Sequence, residues 1–66
     1  MKHKYKRVDL LPGQTAVFKY NKGCRYVYIT KGEHDILKRG EPVKLIEDQE
    51  FAVTATSEIQ VSYIYD

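Results

Sequence analysis

The sequence predicts an all-β protein: a small single-domain β-barrel or sandwich of six to seven short, mostly antiparallel strands. Two observations carry that expectation. Apolar and polar residues alternate along most of the chain, as on half-buried strands. Glycine, proline or paired polar residues interrupt the alternation roughly every 6–10 residues, the spacing of a barrel or sandwich. No stretch has the pattern of a long helix.

Residues 4–10 alternate weakly, with Tyr5, Val8 and Leu10 able to form a short edge strand. Lysines suit an edge because charge there discourages unwanted pairing. Leu11-Pro12-Gly13-Gln14 breaks the chain, proline presetting φ and glycine supplying a positive φ. Residues 15–20 form a clear strand, with Ala16, Phe18 and Tyr20 opposite Thr15, Val17 and Lys19. Asn21-Lys22-Gly23 is expected to fold this strand back on residues 24–30 as a bulged hairpin. Along 24–30, Val27 and Ile29 share one face, and Cys24, Tyr26 and Tyr28 the other. Both faces are apolar or aromatic, so this strand is expected to be central.

Lys31-Gly32 turns the chain again, and residues 33–38 are expected to form a strand with His34 and Ile36 on one face. After Arg39-Gly40, Pro42 fits the start of a strand over 43–45. Residues 50–56 alternate Phe51, Val53 and Ala55 against Ala52, Thr54 and Thr56. The last strand, 59–66, aligns Ile59, Val61, Tyr63 and Tyr65. The expected core is Phe18, Val27, Ile29, Ile36, Leu45, Phe51, Val53, Ile59 and Val61.

Sixty-six residues suffice for one domain. A chain of this size buries only about 60% of its unfolded surface, and small scaffolds commonly add disulfides, a metal or a partner. Cys24 is the only cysteine, which excludes an internal disulfide and suits a reducing compartment. No apolar run reaches the roughly 18 residues of a membrane span, and no signal-peptide pattern opens the chain. The expectation is a protein made in the cytoplasm, with no membrane partner and no cofactor.

The net charge of +2 is unevenly spread. Residues 1–7 read as a basic arm carrying Lys2, Lys4, Lys6 and Arg7, ahead of a single all-β domain over 8–66. That domain holds seven basic and nine acidic residues and is weakly acidic. Such an arm contacts phosphates or an acidic protein surface, or simply keeps a protein soluble.

Residues 25–64 follow an order of features that resembles a cupin-type β-module. Arg25-Tyr26-Val27-Tyr28-Ile29-Thr30-Lys31-Gly32-Glu33 is similar to the cupin strand ending in glycine and an acidic residue. Asp35-Ile36-Leu37-Lys38-Arg39-Gly40-Glu41 is similar to the strand and turn that follow it, and residues 45–55 to the acidic loop and returning strand. The resemblance implies a half-sized jelly-roll. It does not imply the family's metal site, because the returning strand offers Glu50-Phe51 and only His34 lies near the first ligand group.

No catalytic or metal-binding set emerges from the remaining residues. Glu33-His34-Asp35 is the one local acid–base cluster, but neighbouring strand residues point to opposite faces. Cys24 follows Gly23 between Lys22 and Arg25, and a buried free thiol is common. The tyrosines carry more signal. Tyr26/Tyr28 and Tyr63/Tyr65 form two alternating pairs, and tyrosine suits interfaces that are part apolar and part wet.

The sequence therefore predicts a non-enzymatic interaction module. It would form a homo-oligomer or dock on a larger protein assembly, such as a decoration or head–tail component of a phage virion. The tyrosines would supply the interface, and the arm and last strand further contacts by strand addition. The alternative is a nucleic-acid-binding barrel, with Lys2, Lys4, Lys6 and Arg7 on phosphates and Tyr26 and Tyr28 stacking on bases. A third reading, a small enzyme or a ligand-binding cupin-like protein, rests on fold analogy.

Overall fold

A computed structural model describes residues 3–66. Lys2 and its expected phosphate or acidic contact lie outside them. Six strands form: β1 (Lys4–Leu10), β2 (Thr15–Lys19), β3 (Cys24–Lys31), β4 (Val43–Lys44), β5 (Glu50–Thr54) and β6 (Ile59–Tyr65). They make two antiparallel sheets, a four-stranded one in the order β1-β6-β3-β4 and a two-stranded one of β2 and β5. The protein is an all-β domain built as two packed sheets.

The register explains which side chains meet. Leu10 stands opposite Ile59, Val8 opposite Val61, and Ile29 opposite Val61 from the other side. Because side chains alternate between faces, this places Leu10, Val27, Ile29, Ile59 and Val61 on one inner face. Phe18 and Val53 of the small sheet close over it, joined by Leu37, Leu45 and Ala55 from loops. Each such aliphatic side chain contributes about 1.5–3 kcal/mol on full burial.

The expected hairpin between residues 15–20 and 24–30 does not form. β2 pairs β5 and β3 pairs β6 and β4, so the chain crosses from one sheet to the other between them. Tyr20–Lys22 forms a 3-10 turn closed by the Gly23 N–H on the Tyr20 carbonyl at 2.9 Å, with Gly23 at φ 97°. The turn signal was local and correct. The residues of β5 that pair with β2 lie 31 to 39 positions away in sequence, where turn chemistry carries no information.

Two further expectations are corrected. Cys24 joins the inner face, away from Tyr26 and Tyr28. A bulge sets Cys24 opposite Tyr65 and Tyr26 opposite Ile64, so Arg25 is the extra residue and the alternation slips by one. Residues 33–38 form no strand apart from an isolated bridge between Lys38 and Glu41. In this irregular loop Ile36 is 58% exposed and Leu37, at 2%, takes the core position. Phe51 is half-buried and packs against the core.

Two arches connect the sheets, and both use one device. In residues 11–14 the Gln14 N–H donates to the Leu11 carbonyl while the Leu11 N–H donates to Gln14 Oε1. In residues 46–49 Gln49 and Ile46 make the same two bonds, at 2.9 Å each. The third residue of each arch has positive φ, Gly13 at 89° and Asp48 at 65°. One arch leads into β2 and the other into β5, at opposite ends of the small sheet.

Candidate interaction faces

The strand register sorts the sequence-derived candidates onto two surfaces. Tyr26 and Tyr28 lie on the outer face of the four-stranded sheet, and Tyr63 and Tyr65 on the inner side. The four do not form one patch.

The outer face is built in three rows that cross the strands. In the first, Tyr5, Ile64, Tyr26 and Lys44 stand side by side on β1, β6, β3 and β4. Tyr5 is 70% exposed, and Ile64 and Tyr26 are half-buried. In the second row Arg7 and Tyr28 flank Ser62 and leave it 1% exposed. The third is polar: Thr30 Oγ1 donates to Gln60 Oε1 at 3.0 Å, and Gln60 Nε2 donates to Asp9 Oδ1 at 3.1 Å. The face thus grades from aromatic to hydrogen-bonded polar over four residue steps along each strand, from Tyr5 to Asp9 on β1 and from Tyr26 to Thr30 on β3. Tyr5 and Ile64 escape a sequence reading because the row exists only once β1 and β6 are in register.

The inner side opens into a groove of about 380 Å³ between β1 and β2. Phe18 and Tyr63 rings lie 5.1 Å apart and Tyr63 and Tyr65 rings 6.0 Å apart, both tilted. Lys6 Nζ sits 5.6 Å from the Tyr65 ring centroid, and Lys19 and Lys22 also line the groove. Cys24 lies at its floor. Burial raises the pKa of this thiol, opposed more weakly by the Arg25 charge and by a backbone hydrogen bond at Tyr26.

The residues expected to form a basic arm belong largely to β1, paired throughout with β6. Strand alternation sends Lys4 and Lys6 to the groove side and Arg7 to the outer face. Of the described residues proposed to bind phosphates, only Arg7 shares a face with Tyr26 and Tyr28. Both edges of β6 are paired, to β1 and β3, so the last strand has no edge free for strand addition.

His34 has its ring nitrogens turned to the backbone. The amides of Ile36 and Leu37 approach Nδ1 at 3.1 and 3.3 Å, and an amide can only donate. Nδ1 is therefore the acceptor, and Nε2 carries the hydrogen donated to the Thr54 carbonyl at 2.9 Å. This histidine holds the loop over 33–38 against β5. Among the described residues, no group of three His, Cys, Asp or Glu side chains comes together.

No protein-family model, curated protein or solved structure matches the chain.

Proposed function

We propose that this protein is a non-enzymatic interaction module that associates with a second copy of itself through the outer face of its four-stranded sheet. The observation that supports this most directly is the row Tyr5–Ile64–Tyr26, apolar area presented on the side away from the second sheet. Burial of such a row is the ordinary driving force for association, and tyrosine tips tolerate a wet rim. The same face offers a self-complementary charge pattern. Arg7 and Asp9 are both exposed and two residues apart on β1, so a two-fold axis can set Arg7 of one copy against Asp9 of the other. A repeated coat or joining layer, as in a phage virion, is a setting in which a small piece works through such contacts alone.

The test is absolute mass by light scattering after size-exclusion chromatography, at low and high salt. A dimer at both salts, reduced to monomer by Ile64→Lys, is the expected result. A wild-type monomer at high protein concentration under both conditions would overturn the reading.

A further inference from the structure

We propose that the groove between β1 and β2 is a second interaction site, which takes an extended acidic segment of a partner protein. It lies on the opposite side of the large sheet from the outer face and does not depend on self-association there.

Three features define the occupant. The first is backbone: β1 ends the four-stranded sheet and β2 is half of a two-stranded one, so each has one unpaired edge. The two strands flank the groove without pairing to each other. An extended peptide can satisfy such an edge by adding as a strand, and five residues alongside β2 would span about 17 Å. The second is charge. Lys6, Lys19 and Lys22 are exposed on the groove wall, and no carboxylate side chain among the described residues lines it. The third is the apolar lining: Val8, Ala16 and Phe18 lie beside the lysines, where an apolar side chain would be covered. The occupant is thus an extended strand with acidic residues over the lysines and an apolar residue over Phe18.

The aromatic geometry favours peptide over single-stranded nucleic acid. Stacking platforms need open ring faces. Tyr63 is instead packed at a tilt between Phe18 and Tyr65, and Lys6 already lies over Tyr65.

The experiment uses the full chain and three fluorescein-labelled probes at low salt: an eight-residue alternating valine–aspartate peptide, its valine–lysine counterpart, and an eight-nucleotide oligothymidine. Anisotropy should rise with the aspartate peptide alone, and chemical shifts should move at Ala16–Lys19 and Tyr63. Lys6→Glu, Lys19→Glu and Lys22→Glu combined, all at exposed positions, should weaken that binding at least about tenfold, since charge reversal replaces attraction by repulsion. Ile64→Lys on the outer face should leave it unchanged. No binding of the aspartate peptide, equal binding of the oligonucleotide, or indifference to the triple reversal would each overturn the proposal.

Discussion

Arg25 Nε donates to Asp66 Oδ2 at 3.0 Å, tying the extra residue of the β3 bulge to the end of β6. The same guanidinium lies 3.7 Å over the Tyr20 ring and donates through Nη1 to the Tyr20 carbonyl at 2.8 Å. One side chain therefore joins the 3-10 turn, the bulge and the last strand. Arg25→Ala is expected to destabilise the fold by about 1–2 kcal/mol, most of it from lost stacking and carbonyl bonds. Asp66→Asn should cost less than about 1 kcal/mol, because a part-exposed ion pair contributes little. Urea unfolding of both variants checks the order.

Gly32 admits no other residue. Its φ is 85°, and an added Cβ would lie 2.8 Å from the Glu58 carbonyl oxygen and 2.9 Å from Ile59 Cγ2. Gly32→Ala should cost about 2–4 kcal/mol, strain and overpacking together. Asp48, at φ 65°, is the opposite case. Asp48→Gly should stabilise by up to about 1 kcal/mol by relieving the left-handed conformation. Thermal midpoints should move in opposite directions.

Leu37→Ala and Ile36→Ala should differ sharply although the residues are adjacent. The first empties a core position, at about 2–5 kcal/mol, and the second changes an exposed one, within about 0.5 kcal/mol. Chemical denaturation separates them. Equal effects would contradict the loop conformation.

Cys24 makes stability depend on pH in the alkaline range. Burial raises its pKa in the folded state, so the unfolded chain releases the thiol proton first as pH rises. The folded state then binds more protons, and stability falls above roughly pH 8.5. Cys24→Ala should remove this alkaline loss while lowering stability at neutral pH. Denaturant midpoints between neutral pH and pH 10 measure both.

The sequence made the fold class legible because alternation and turn residues are local properties. β1, β2, β5 and β6 lie where 4–10, 15–20, 50–56 and 59–66 alternate. What it hid was pairing and phase. The choice of β5 over β3 as the partner of β2 depends on which inner faces cover each other, information held by residues far apart. The Arg25 bulge and the irregular 33–38 loop each shift the phase of side chains by one. A strict two-residue period therefore misplaced Cys24 and Ile36. The candidate surfaces suffered the same way: four tyrosines at matching spacing proved to occupy two sides of one sheet.

The position of β6 has a consequence for how the chain reaches this structure. Among the described residues it is the last of six strands in sequence, yet it lies between β1 and β3 and alone joins them. During synthesis, β1 and β3 have no bridge until residues 59–65 leave the ribosome, so the large sheet cannot assemble stepwise behind the emerging chain. Folding must wait for a contact spanning most of the sequence, which places the protein among the slow, non-local β folders of the millisecond-to-second range.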